Sequence, residues 1–223
     1  MRIFKNFSEM YNEVERELKH NGIEYKTSTV QDKKVEGNSD FRTKELMGYS
    51  FMVKHPNPWE LIDKKNLNKD WILAEMVERL AGIKLNPGIA WKHRESVWKE
   101  FLHKKKFSYT YSERIGTQIS EVVKHLKEHP NSRHAVVNIY DRYKDHKNRG
   151  GKARVPCSMF YQFMIRDGQV SVIYIMRSVD FGEHFLYDLC LATMKMEYVA
   201  EQLKLSPGNL IFFASSLHTF YKD

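Results

Sequence analysis

The residues of this sequence best equipped for chemistry are a cysteine and an arginine that local structure should bring together. Cys157 sits in the run Arg154-Val155-Pro156-Cys157-Ser158, and Arg177 opens the run Arg177-Ser178-Val179-Asp180. Between them, Ser158 to Ile165 and Gln169 to Met176 are rich in aromatic and β-branched residues and flank Arg166-Asp167-Gly168. This pattern predicts two strands joined by a tight turn. Cys157 then precedes one strand and Arg177 follows the other, so the two are expected side by side. A thiol reacts as its thiolate, which a neighbouring guanidinium favours, and the same guanidinium can grip an anion through paired hydrogen bonds. A cysteine without such company is a small buried hydrophobe, the reading that suits Cys190.

The order of several spaced motifs resembles the thymidylate synthase family, whose nucleophile motif is Pro-Cys-His followed by a Tyr-Gln pair, a hairpin and Gln-Arg-Ser-x-Asp. Here these stand as Pro156-Cys157-Ser158, Tyr161-Gln162 and Met176-Arg177-Ser178-Val179-Asp180. Upstream, Glu75 to Gly82 is similar to the family's Glu-Leu-Leu-Trp-Phe-Leu-x-Gly helix, and Pro130-Asn131-Ser132-Arg133-His134 to its Pro-x-Ser-Arg-Arg phosphate loop. Downstream, Leu205-Ser206-Pro207-Gly208 and His218 resemble the end of the family core, so the likeness runs from about Arg42 to the C-terminus.

The resemblance implies an α+β fold, a three-layer α/β/α arrangement with a mixed β-sheet that forms a dimer interface, over a single catalytic domain, 1–223. It implies that Cys157 adds to C6 of a pyrimidine nucleoside monophosphate, that Glu75 organises water and proton transfers, and that Tyr111 assists proton removal at C5. Arg42, Arg133, His134, Arg177 and Ser178 would bind the nucleotide, with Arg133 reaching across a homodimer's twofold axis. His218 and Tyr221 resemble a His-x-Tyr pair that grips the sugar, although Phe220 occupies the tyrosine position. Trp98 and Asp180 would lie beside the cofactor, 5,10-methylenetetrahydrofolate. Each residue has a plainer reading too: surface charge for any single arginine, an exposed helix carboxylate for Glu75 and for Glu78 beside it, and core packing for Tyr111 and Trp98.

Asp188 selects among substrates. It falls where the family's thymidylate synthases carry an asparagine that reads the uracil edge. Cytosine offers an acceptor at N3 and a donor amine at C4, a pattern that a carboxylate sharing one proton can match. The same exchange marks the family's deoxycytidylate hydroxymethylases, so the leading expectation is dCMP 5-hydroxymethylation. As an alternative, Asp188 is the N-cap of a helix over 188–203. Thymidylate synthesis from dUMP with a shortened tail, or a nucleotide- or RNA-binding relative without turnover, are the rival expectations. Met176 departs from the family's glutamine, and Gly182-Glu183-His184 from its Leu-Gly-x-Pro. The sequence ends at Asp223, before the segment that closes over folate in most relatives; a site without it is expected to be wetter and to favour capture of water.

Composition bounds these expectations. The 223 residues, 42% hydrophobic and 13% aromatic, suffice for one domain with a sizeable core. No apolar run suggests a signal peptide or membrane span, which predicts a cytoplasmic protein with no membrane partner. Two cysteines make no disulfide framework, and no Cys, His and carboxylate spacing suggests a metal site. The net charge of +8 comes from scattered lysine clusters, a pattern of solvated surface rather than of a nucleic-acid groove.

The elements expected to position the site follow from periodicity. Apolar residues at helical spacing predict helices over 7–20 with Gly22 as cap, 69–81 ending at Gly82, 118–128 with Thr117 as N-cap, and a buried helix over 188–203. Strands are expected at 49–53, 135–140 and 209–214, and a solvated loop at 141–152.

Overall fold

The hairpin predicted around Asp167-Gly168 forms, its second strand lying at the middle of the sheet. Asp167 (φ 50°) and Gly168 (φ 71°) both take positive φ, the conformation a two-residue turn needs to match strand twist. The computed structural model describes residues 1–26, 41–148 and 153–222. In chain order the elements are β1 (Arg2–Phe4), α1 (Phe7–Asn21), β2 (Ile23–Lys26), β3 (Phe41–Val53), α2 (Pro58–Lys64), α3 (Lys69–Leu80), α4 (Glu95–Trp98), α5 (Tyr111–Ile115), α6 (Gln118–Glu128), β4 (Val136–Asn138), α7 (Arg142–Asp145), β5 (Ser158–Arg166), β6 (Gln169–Met176), β7 (Val179–Asp180), α8 (Phe185–Leu203) and β8 (Ser206–Lys222).

The fold is α+β. A mixed eight-stranded sheet runs β1-β3-β8-β6-β5-β4, with β2 on β3 and β7 on β8. β5 and β6 pair antiparallel, as do β3 and β8, whereas β6 and β8 run parallel and are joined through α8. Side chains alternate faces along a strand. One face is therefore core: Tyr161, Phe163, Val172, Tyr174, Leu210, Phe212 and Phe51 are buried against α1, α6 and α8. The other face carries Phe160, Ile173, Ile175, Ile211 and Phe213, all half-buried.

Several elements differ from expectation for local reasons. β8 reaches Lys222 because it pairs with β3 along that strand, from Phe41↔Lys222 to Val53↔Leu210; this partnership is invisible to a window of sequence. α8 begins at Phe185, three positions earlier than expected, with His184 at its N-cap. Asp188 thus lies inside the first turn, and its N-cap reading falls. Thr117 holds the N-cap position of α6, but its hydroxyl bonds to Glu121 instead of the helix backbone. The expected loop at 141–152 contains α7: Asp141 caps it by accepting from the Tyr143 and Lys144 N–H groups, and Asp145 is fully buried in an ion pair with Arg114 at 2.6 Å. Residues 149–152 of that segment lie outside the described residues.

Candidate active site

Where β5 begins and β6 ends, the hairpin puts Cys157 and Arg177 in contact. The Arg177 N–H donates to the Cys157 carbonyl at 2.9 Å, and one guanidinium nitrogen stands 3.7 Å from the Cys157 sulfur. Arg177 also donates to the carbonyls of Pro156 and Val155, each at 2.9 Å, so its fork is fixed by the backbone that carries the thiol. Both residues line a cavity of about 400 Å³ with Glu75, Trp98, Tyr111, Ser178, Asp180, Asp188 and His218. The net effect on the thiol is opposite to the sequence expectation. Burial pushes its pKa up and outweighs Arg177 and then Arg154, which pull it down.

Helix α3 supplies an ion pair. Glu75 accepts from Arg79 Nε at 2.8 Å one turn away, and Arg79 is only 2% exposed. The guanidinium lies 4.0 Å over the Tyr111 ring, a cation–π contact. Burial works against the Arg79 charge, but Glu75 and the nearby tyrosines and Asp188 favour it, and the net shift is upward. Glu78, expected as an exposed carboxylate, is instead 6% exposed and accepts the N–H groups of Ile89 and Ala90. The loop that it holds passes so near that a Cβ at Gly88 would run into the Glu78 carboxylate, and Gly88 has φ of 69°.

Helix α8 contributes Asp188 and, two turns on, Lys195. Burial raises the Asp188 pKa to about 6, against the pull of Arg79 and Lys195 and with Glu75 adding to the rise. Lys195 is 0% exposed; its ammonium nitrogen donates to the Leu191 carbonyl at 2.8 Å and stands 4.9 Å from the centre of the Tyr161 ring. Burial lowers its pKa well below the ordinary value. Glu75 and Arg79 thus form an ion pair beside the cavity, while burial pushes the Asp188 carboxyl and the Lys195 amine toward their neutral forms.

The far wall is aromatic. Trp71 stacks on Trp98 at 6.3 Å and 12°, and Phe101 and Phe107 pack on Trp98. The indole N–H groups of Trp71, Trp91 and Trp98 are buried with no hydrogen-bond partner among the described residues. Arg154 lies 4.2 Å over Phe101 and 5.0 Å over Trp98. An aromatic wall of this kind fits a planar heteroaromatic ligand. Arg79, Lys195 and Arg154 were not among the residues expected to form the site. Their only sequence signal is a cation inside an otherwise apolar helix face, or one just ahead of the cysteine.

His218 enters the cavity from the second half of β8. Leu210, Phe212 and Ala214 are core in its first half; beyond the exposed Ser215 the alternation of burial shifts, Leu217 being core while Ser216, His218 and Phe220 line the cavity. Tyr221 has the opposite parity and is paired with Arg42 of β3; neither lines the cavity. Arg133 and His134 are exposed on the loop between α6 and β4, also away from the cavity. That loop is braced: Ser132 Oγ meets His125 Nε2 at 2.6 Å, and Gln162 donates to the Arg133 carbonyl at 2.7 Å. Among the described residues no cluster of His, Cys, Asp and Glu could hold a metal ion, and no helix is long and apolar enough to cross a membrane.

The family model described as "Thymidylate synthase" matches residues 10–223. The chain belongs to the thymidylate synthase family. A protein of Methanosarcina barkeri named "Putative thymidylate synthase" is 32% identical over 123 residues, 52% of this chain and 55% of that one. One of the same name from Methanocaldococcus jannaschii is 25% identical over 187 residues, 83% of this chain and 79% of that one. The thymidylate synthase of Enterobacteria phage T4 is 31% identical over 107 residues, 46% of this chain and 35% of that one. The chain thus aligns with about half the length of the Methanosarcina relative. Among solved structures, thermostable thymidylate synthase A from Bacillus subtilis superposes with a TM-score of 0.74 at 14% identity, over 97% of this chain and 80% of that one, a likeness of fold.

Against the thymidylate synthase motif Glu-Leu-Leu-Trp-Phe-Leu-x-Gly, this chain replaces the adjacent aromatics with Glu78 and Arg79. Each is buried and paired, so the exchange brings charge into the base of the cavity, where Asp188 lies.

Proposed function

We propose that this chain transfers a one-carbon unit to C5 of a pyrimidine nucleoside monophosphate, and that the substrate is dCMP with a hydroxymethyl product. The observation that carries this reading is the half-buried Asp188 carboxylate in the same cavity as Cys157 and Arg177. With its pKa raised to about 6, the group can hold or share the proton that cytosine N3 needs, while its other oxygen accepts from the C4 amine.

In this mechanism Cys157 adds its sulfur to C6, and the added electron density makes C5 nucleophilic. Burial holds the thiol pKa up, and the Arg177 and then the Arg154 charges oppose that rise and stabilise the thiolate that attacks. 5,10-Methylenetetrahydrofolate would supply the carbon and fits the slot of Trp71, Trp98 and Phe101, with Trp98 and Asp180 beside it. Arg177 and Ser178 would hold the phosphate, and His218 the sugar. Glu75, turned toward Arg79, would position water, and Tyr111 lies within reach of the base. C5, carrying the one-carbon unit, would lose its proton to water held near Glu75, that unit would take up water as tetrahydrofolate leaves, and elimination of Cys157 would release the hydroxymethyl product.

The rest of the phosphate clamp, Arg133 and His134, would come from a second copy, with Arg42 at the rim. The half-buried apolar row of Phe160, Ile173, Ile175, Ile211 and Phe213 supports a homodimer joined through the sheet. Phe213→Glu is expected to yield a monomer in sedimentation and to lose more than about 100-fold in activity, since each site would lack its partner's cations. A dimeric, active variant would refute this assembly.

The function itself is tested with dCMP and dUMP carrying tritium at C5, each with 5,10-methylenetetrahydrofolate. Release from dCMP without formation of dihydrofolate is expected. Release from dUMP alone, accompanied by dihydrofolate, would instead establish thymidylate synthesis, the activity in the name of the phage T4 relative. Release from neither would reject the transferase.

A further inference from the structure

Arg154 brings a charge to the cavity that no described residue answers. Among the described residues it makes no hydrogen bond or ion pair, and its Nε is buried without a partner. Aromatic rings hold it instead: the guanidinium lies 4.2 Å over Phe101 and 5.0 Å over Trp98. Contact with a ring face uses no hydrogen-bond acceptor, so the donors of its two terminal nitrogens remain free in the cavity that the residue lines. Tyr109, from the loop ahead of α5, is in the same condition. Its hydroxyl has no hydrogen-bond partner among the described residues, it lines the same cavity, and Arg154 is the charge that acts on it most strongly.

Position decides what these donors meet. After Arg177, Arg154 is the charge felt most by the Cys157 sulfur, so the guanidinium stands between the nucleophile and the aromatic wall. A flat ligand that enters the slot packs on this same wall and meets the guanidinium at one edge. The lone pairs of a ring carbonyl lie in the plane of the ring and point outward from such an edge. A guanidinium donates to them much as it does to the O6 and N7 edge of guanine. An amine at the same place presents hydrogens instead, which the positive charge opposes.

We infer that Arg154, with Tyr109 beside it, is a specificity-determining residue that donates to the ring carbonyl of the one-carbon donor's heterocycle. This rests on the transferase reading and deepens it: the pterin ring of 5,10-methylenetetrahydrofolate carries such a carbonyl, and Arg154 selects for it.

Binding is the readout, because Arg154 also favours the Cys157 thiolate and turnover would mix the two effects. Two stable pteridines are titrated by calorimetry, with and without dCMP: folic acid, which has the ring carbonyl, and aminopterin, which has an amine in its place. Arg154→Met keeps an apolar contact with Phe101 and Trp98. It should weaken folic acid by about 10- to 100-fold and leave aminopterin and dCMP within twofold of the parent. Arg154→Lys, a point charge in place of the fork, should recover only part of the loss. Equal weakening of both pteridines would make Arg154 mere packing of the wall, weakened dCMP would assign it to the nucleotide, and unchanged binding would place it outside both. Each of these overturns the inference, as does a parent that binds neither pteridine. A parent that discriminates in the expected way yet releases no tritium from C5 would remove the transferase reading and leave the Arg154 assignment in place. Tritium release by a parent whose Met variant binds both pteridines unchanged would do the reverse.

Discussion

Asp188→Asn is expected to exchange the base preference, raising C5 tritium release from dUMP and lowering that from dCMP. The ratio of their kcat/KM values should move by roughly 10³–10⁴-fold, because a site built to bond one ring edge leaves buried groups unpaired against the other. pH supplies an independent check. Asp188 keeps its proton to about pH 6. If bound cytosine shares that proton, the affinity for dCMP relative to dUMP falls by up to about tenfold per pH unit above this point. Comparing two monophosphates cancels the titration of the phosphate. The Asn variant should show no such slope. Stability has the same sign: a carboxyl with a pKa raised from 3.8 to about 6 contributes fully below about pH 4, and that contribution is lost as pH rises through 6. The change is about 3 kcal/mol. An Asn variant with the parent's base preference would remove Asp188 from substrate choice.

Arg79→Met is expected to destabilise the fold by about 3–5 kcal/mol, or roughly 10 °C in Tm, because it leaves Glu75 without its ion-pair partner and Asp188 without the cation that most favours its charge. The Asp188 pKa should also climb above about 6, since Arg79 is the first of the charges that oppose its rise. Urea unfolding measures the loss. Adding Glu75→Gln should recover part of it, the signature of a coupled pair. A loss below about 1 kcal/mol would show that the ion pair is not what holds these charges in place.

Local signals carried much of this molecule. The Asp167-Gly168 turn, flanked by β-branched strands, announced the hairpin and hence the contact of Cys157 with Arg177. Apolar spacing announced α1, α3, α6 and α8 to within a few residues. What stayed hidden depends on partners distant in the chain. Pairing with β3 extends β8 well past Ala214, and so carries His218 to the cavity while Tyr221 stays outside it. Arg79, Glu78 and Lys195 look like solvent-facing charges on helices, because no window of sequence shows that a neighbour waits for each of them inside. Asp145 misleads in the same way: a polar segment reads as a loop until Arg114 makes burial of the carboxylate tolerable.

One ribbon of β8 serves first as hydrophobic filling and then, past the exposed Ser215, as the rim that greets the ligand, with Leu217 still reaching the core between Ser216 and His218. A single inserted or deleted residue anywhere from 206 to 215 would turn every later side chain over, pulling Leu217 out of the core and His218 out of the cavity. This part of the protein can therefore drift by exchange of one amino acid for another, but hardly by change of length, and alternative sugars or bases must be accommodated by retouching the surface that the strand already presents.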